Sequence, residues 1–544
     1  MRKQKGSITL FLTLILVSVL SLLFTLLDTC RVKGLCSRAD MNAATAADSM
    51  FAAYCKPLYE EYGLLFLDGS FGSGAFDKAK MEKTLQEESA YNLGHIEGIP
   101  GENAGRYYRL GVQQVELGQY ELATDQEGKV FRHAVLRAMQ DGVLPGIVDE
   151  VCGMIEYAVA KKGMEEQGDP QQRMQNGDEN LEDAQRQQRE EQEENSTQVE
   201  QPSASTETPQ EREEAEKKYR ESLAEATQVL GDIASGGELG LFTKGKNLSA
   251  TKMDISDALE KRSKNQGNMA GIYESGMVPK VCFNVYLQNK FSSYVESKNE
   301  HDTKYELEYI VAGKDSDKEN LRSVIHRLFL LREGSNFIYR QQDPVTQERA
   351  TAIAAALCAC FPAINPVIIK EAIITAQSVG DSVNDVKDLL AGKRVALYKG
   401  GVSGSRSAVQ HGAGGRSISK STKGVDLSKD SVDLKKPDTS IDETKPGATK
   451  SWEAGLCYMD YMQIFLFMEN ETKVTMRSMD LIEWSIRPKP GYASFRMDCM
   501  VARAKGSITY EAPLVFSIFG TPNGERGWNI KSDFSVSYEK ESKK

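Results

Sequence analysis

The chain has 544 residues, 40% of them apolar, and a formal net charge of −11, which leaves room for two or three domains. Residues 165–218 hold 17 acidic and 6 basic side chains, a balance of −11 that equals the whole chain's and excludes a broadly acidic surface. No basic stripe remains elsewhere, so nucleic acid is not an expected partner.

Ser7 to Leu27 is a run of 21 residues without charge, proline or glycine, and at 1.5 Å per residue it makes a helix of about 31 Å, the thickness of a bilayer core. A cleavable secretory signal has a shorter apolar run and a small-x-small site; here DTCRVKGLC follows. Arg2, Lys3 and Lys5 precede the run, and Arg31, Lys33 and Arg38 follow it with Asp28 and Asp40 among them. The expectation is an uncleaved anchor: residues 1–6 as a cytoplasmic tail, 7–27 in the membrane, and the bulk of the chain extracytoplasmic at the cell membrane. Basic residues, Gly6 and an apolar helix also outline a pilin-type leader, but Phe11 stands where that leader's mature chain carries glutamate.

Val32, Cys36, Ala39, Ala43, Ala46, Met50 and Ala53 then recur at alternating steps of four and three, a heptad seam of small side chains. With no proline before Pro57, a helix is expected to run unbroken to about Lys56, near 75 Å in all, with residues 28–62 as a coiled-coil-like stalk. Either a partner helix packs on this seam, or the seam covers the chain's own domain.

Residues 63–164 predict a mixed α+β region. RYYRLGVQQVELGQYELAT alternates like strands, and VFRHAVLRAMQDGVLPGIVDEVCGMIEYAVA reads as two helices broken near Pro145. The acidic tract, with 11 glutamines and no aromatic residue between Glu165 and Lys218, predicts a disordered linker over residues 165–222, after which an amphipathic helix at Tyr219 to Leu230 restores order. Residues 223–399 predict an α+β core. There KYELEYIVAG reads as a strand and DSDKENLRSVIHRLFLLREGSNFIY as a helix, started by Asp315, Ser316 or Asp317 as hydrogen-bond acceptor, with Arg327 and Arg332 toward its far end. The uncharged run Ala350 to Ile369 is either a second span or a buried helix pair; Pro362, Asn365 and Pro366 divide it and favour the pair. Residues 400–450 read as a flexible loop. Residues 451–544 predict a helix at Tyr458 to Met468, then antiparallel strands. The fold class expected is α+β.

Chemistry is sparse. GLFTKGKN, Gly240 to Asn247, nearly fits a phosphate loop but ends in Asn247 where a hydroxyl for magnesium belongs. DSDKEN, Asp315 to Asn320, spaces carboxylates like a calcium loop, yet Asn320 and His326 stand where Gly and Glu are required. GLLFLDGSFGS sets Asp68 and Ser70 like an ion-dependent adhesion site, with Gly72 in place of the second serine. HGAGGRS at His411 lies in low complexity. Nine cysteines (Cys30, Cys36, Cys55, Cys152, Cys282, Cys358, Cys360, Cys457, Cys499) form no CxxC pair and no disulfide framework, so most are expected as small buried apolar groups. A serine or cysteine paired in space with His301 or His326 stays open. No catalytic, cofactor-binding or metal-binding residue, no cofactor and no small-molecule substrate is assigned, and an enzyme is not expected.

The leader and span followed by DTCRVKGLCSRADMNAATAADSMFAAY resemble the N-termini of TadE/TadG-like proteins of Tad (Flp) pilus systems. YEEYGLLFLD, KYELEYIVAGKDSDKENL, EAIITAQSVGDSVNDVKDLLAGKRVALYKG, GLCYMDYMQIFLFM and RSMDLIEWSIR are similar to an uncharacterised family of large anchored Gram-positive proteins encoded with such pilus genes. The resemblance implies a part in pilus assembly or surface export as a structural or adaptor protein, with the membrane and pilin-like or assembly proteins as partners through the N-terminal helix. An anchored extracytoplasmic hydrolase acting on envelope material is the alternative, and an ion-binding adhesin or sensor a third.

Overall fold

The computed structural model describes residues 5–94, 108–140, 145–160, 169–195, 208–244, 246–397, 399, 455–513, 515 and 527–538. It is a mixed helical and antiparallel-sheet protein, α+β, headed by one long apolar helix. Two compact units form: residues 1–141, 258–275 and 478–544 make the first, and residues 142–257 and 276–477 the second.

In the first unit, α1 (Lys5–Ala52) is a single helix carrying both the apolar run and the seam. It stops at Ala52, four residues short of the expected Lys56, and α2 (Lys56–Tyr62) starts anew with a proline in its first turn. Beyond lie β1 (Leu67–Asp68), α3 (Lys78–Gly94) and β2 (Gly111–Leu122). Two strands from the far end of the chain, β3 (Met500–Pro513) and β4 (Gly527–Ser537), complete a sheet in which β3 is antiparallel to each of the other three. The alternation of β3 turns Ala504, Ile508, Tyr510 and Ala512 inward, where they meet Leu35, Ala39, Ala43, Ala46, Ala47, Met50 and Phe51 of α1. Gly506 is required in this strand: a Cβ there would clash with the Glu116 carbonyl oxygen and stand 2.7 Å from the Phe534 ring. Next follows α4 (Asp125–Gln140), whose residues Gln126, Glu127 and Gly128 are left-handed. Residues 258–275 are sewn to this unit: Asn268 exchanges backbone and side-chain hydrogen bonds with Tyr120 and donates to Gly118 O, and Leu259 N donates to Asp480 Oδ1 at 2.8 Å.

The second unit is helical: α5 (Pro145–Ala160), α6 (Pro170–Asn195), α7 (Pro209–Ala234), α8 (Glu238–Phe242), α9 (Met277–Lys290), α10 (Glu306–Ala312), α11 (Asp317–Gln342), α12 (Pro344–Cys360), α13 (Pro366–Leu390), α14 (Tyr458–Met468) and the start of α15 (Glu471–Ile486). At its centre α13 packs against α6, α7, α11 and α12. The Ala350–Ile369 run is the helix pair and not a span: Ala350, Ala354, Leu357, Cys360, Ile364 and Ile369 are buried, and Asn365 caps α13 by accepting from Val367 N at 3.0 Å.

Two expectations are corrected. The acidic tract is helical from Pro170 to Asn195 and again from Pro209, well ahead of the expected restart at Tyr219; Met174, Leu181 and Ala184 supply a thin apolar face, and buried Arg173 finds a buried carboxylate in Glu333. KYELEYIVAG is the helix α10, because Leu307, Tyr309, Ile310 and Val311 are all buried and Glu306 and Glu308 accept from Ser292 N and Tyr294 N. Arg332, in the second half of α11 as expected, is fully buried. The 400–450 loop and His411 lie outside the described residues.

Candidate functional site

The feature that sets this chain apart is α1. Along its first turns large apolar side chains are exposed on every face, among them Ile8, Phe11, Leu14, Val17, Leu20, Phe24 and Leu27. A helix apolar all round requires an apolar surrounding. Four of its hydroxyls are satisfied internally: Thr13 donates to Leu10 O at 2.9 Å, Ser18 to Leu14 O at 2.9 Å, Thr25 to Ser21 O at 2.8 Å and Thr29 to Thr25 O at 2.7 Å. Such bonds remove the penalty that bare hydroxyls carry in lipid. Among the described residues this one helix is long and apolar enough to cross a membrane, and it fits a membrane anchor.

The charge that follows is absorbed at once. Asp28 pairs with Arg31 at 3.5 Å, and Arg31, 3% exposed, donates to Pro513 O at 2.6 Å. Beyond it the predicted seam enters the unit's own core: Ala39, Ala43, Ala46 and Met50 are buried, Val32 and Cys36 are half-buried, and Ala53 is exposed past the helix end. The small side chains admit β3, β4 and α3 to the helix surface, so residues 28–62 are a core element and not a free stalk. The spacing did not disclose Asn42, which lies buried among the alanines and bonds to Ser89 and Tyr510.

The weak chemical motifs resolve into structural roles. Asp68 accepts from Ser70 N, Ser70 Oγ and Gly72 N, closing its own turn. Asp317 accepts from Ser249 Oγ and Lys304 N, while Ser316, preceding α11, makes no capping bond with its side chain. Asn320 instead brackets Lys314, accepting from its N–H at 2.7 Å and donating to its carbonyl at 3.2 Å. Gly240 belongs to the short helix α8. His301 stands 2.7 Å from Glu306, and His326 3.2 Å from Glu238. No group of three or more His, Cys, Asp or Glu able to hold a metal occurs among the described residues. All nine thiols are free and three of them (Cys55, Cys360, Cys499) are buried, fewer than expected.

Buried charge does occur in the second unit. Arg332 donates to Asp385 at 2.7 Å, to Ala396 O at 2.8 Å, and to Leu397 O and Tyr461 Oη at 3.0 Å. Burial alone would raise the Asp385 carboxyl, but Arg332, Lys399 and Asn336 together hold it below the usual range. Glu308 has no cation among the groups that shift it: burial pushes it up to about 7 while Tyr294 N and Tyr458 Oη donate to Oε1. These networks are enclosed by packed helices and bind the unit together.

Searches of curated proteins and of solved structures find no match. The family of unknown function DUF5702 matches residues 213–512, a range that contains most of the second unit and nearly all of β3 but not α1. That range is more than half of the chain, which therefore belongs to this family.

Proposed function

We propose that the chain is a single-pass, membrane-anchored structural or adaptor protein whose two units lie outside the cell and serve Tad/Flp-type pilus assembly or surface export. The observation that carries the anchored part of this reading is the continuity of α1, in which the apolar run passes without a break into the core of the first unit. The apolar run itself stays outside the fold, while residues 31–51 of the same helix are core. The pilus part rests on the resemblance of the N-terminal segment, and with the seam occupied by the chain's own sheet, partner helices are left the apolar run 7–27, where packing in lipid operates.

Protease shaving of intact cells, followed by photo-crosslinking from a reporter at Leu14, tests both parts. Digestion of both units from outside and a crosslink to a pilin-like or assembly-platform protein are the expected results. Protection of the units until lysis overturns the topology, and a crosslink to lipid alone overturns the pilus assignment.

A further inference from the structure

We propose that one end of the first unit's sheet rests on the bilayer surface, so that the unit is docked on lipid and not merely tethered to it. The proposal builds on the reading of residues 7–27 as the membrane segment.

Helix length sets the height of the unit. α1 has no linker between its apolar run and its packed part, so height above the membrane is counted along the helix. Arg31 lies four residues past Leu27, about 6 Å, and Gly34 about 10 Å. The head-group layer on each side of the hydrocarbon is roughly 5–7 Å thick. Arg31 holds Pro513 O, which fixes the end of β3 at head-group height. The pairing Pro513 with Gly527 and Ala512 with Trp528 brings the start of β4 to the same level, and Glu511 with Gly111 brings the start of β2. Tyr108, just ahead of β2, lies on α1 at Gly34: a Cβ there would come within 2.7 Å of its ring. Arg38 holds the Tyr108 carbonyl.

The opposite end of the sheet is correspondingly remote. Tyr538 donates to Phe51 O and Tyr54 bridges Leu67, so the sheet runs along the helix away from the membrane.

What this near end presents suits an interface. Tyr108 is 44% and Val515 38% exposed, and Trp528, in register with Ala512, is half-buried against the core at the same end of the sheet. Aromatic rings are the side chains that head-group layers favour. Lys33, about 9 Å past Leu27 by helix rise, and Arg109, next to Tyr108, are exposed just above the head-group layer, where long cationic side chains reach down to lipid phosphates. The occupant is therefore the bilayer itself, continuous with the surface that α1 already occupies.

The test uses the full-length chain in vesicles of phosphatidylcholine and phosphatidylglycerol containing a lipid with a nitroxide on its choline. The chain has three tryptophans. W452F/W484F leaves Trp528 as reporter, and W452F/W528F leaves Trp484, which neighbours Ser485, bonded to Tyr62 beyond the far end of α1, about 38 Å from Leu27 by helix rise. Trp528 should be quenched several-fold more strongly than Trp484. A third reporter, Tyr108→Trp in a background lacking all three tryptophans, should follow Trp528 and guards against a folding defect in any one variant. Vesicles that float with the protein while neither Trp528 nor the Tyr108→Trp reporter is quenched more than Trp484 overturn the docking. Failure of the protein to float at all overturns the anchor reading beneath it.

Discussion

The Tyr510 hydroxyl donates to Oδ1 of Asn42 at 2.8 Å, joining a strand from the end of the chain to the helix that opens it. Ser89 closes the group, its Oγ donating to the same Oδ1 at 2.5 Å while Asn42 Nδ2 donates to the Ser89 carbonyl at 3.2 Å. All three residues are buried, so the trio fixes the register of α1 against α3 and β3 inside an otherwise apolar layer. Asn42→Leu takes the shared acceptor from two hydroxyls that lie 3.3 Å apart and can still bond one another, so it should cost about 1–3 kcal/mol. Tyr510→Phe removes one donor and leaves Asn42 bonded to Ser89, so its cost should be nearer 1 kcal/mol. Urea unfolding of the detergent-solubilised chain measures both, and strictly additive losses in the double variant would refute a coupled group.

The alanines of α1 make a sharper prediction on a single turn. Ala43 is fully buried against the sheet and Ala44 is exposed. Ala43→Leu adds three carbons to a filled layer and should destabilise the first unit by about 1–3 kcal/mol, whereas Ala44→Leu should stay within about 0.5 kcal/mol of the parent. Equal midpoints for the two variants would mean that the seam is free to receive a partner after all.

Much of this layer was legible in the sequence because its signals are periodic. The apolar run, the steps of four and three from Val32 to Met50, and the alternation of β2 and β3 each survive as elements. The partner of the seam was not legible: a stripe of alanines specifies close approach but not whether the approaching surface belongs to the same chain, and the strands that cover it come more than 450 residues later. In α6, composition concealed the pattern. Three apolar residues and one arginine among glutamines and acids average to a disordered tract, yet their spacing puts them on one face. KYELEYIVAG satisfied both periods, and only the burial of its glutamates under backbone N–H donors distinguishes helix from strand.

Glu308 should make the second unit sensitive to pH. Its carboxyl is fully buried and pushed up to about 7 by burial, from an unperturbed 4.5. A carboxyl raised on folding holds its proton longer in the folded state than in the unfolded one. Its favourable contribution is therefore complete below pH 4.5 and is lost as the pH rises toward 7, by about 3 kcal/mol over that window. Glu308→Gln keeps the shape and an acceptor for Tyr458 but cannot ionise. The difference in unfolding free energy between parent and variant should shift in the variant's favour from pH 4.5 to 7; a difference independent of pH would show that Glu308 ionises in place without penalty.

The most severe single change expected is Arg173→Ala. Arg173 comes from the acidic tract, is 7% exposed, lies 3.9 Å from the centre of the Phe337 ring, and pairs with Glu333, itself 2% exposed and also bonded by Ser378 Oγ at 2.9 Å. Burial holds the Glu333 carboxyl above its ordinary range even with Arg173 acting to lower it. Taking the arginine away strands a buried carboxylate, a change that typically costs about 3–5 kcal/mol. The loss should release α6 as well, exposing residues 170–195 to protease while α11 and α13 remain protected. If the penalty lies in the orphaned charge and not in lost packing, then Arg173→Met with Glu333→Leu, which removes both charges and retains the volume, should recover most of the stability that Arg173→Ala loses. A double variant as unstable as the single one would assign the role of Arg173 to its contact with Phe337, and an undigested α6 in Arg173→Ala would show that the thin apolar face of Met174, Leu181 and Ala184 suffices to dock the helix.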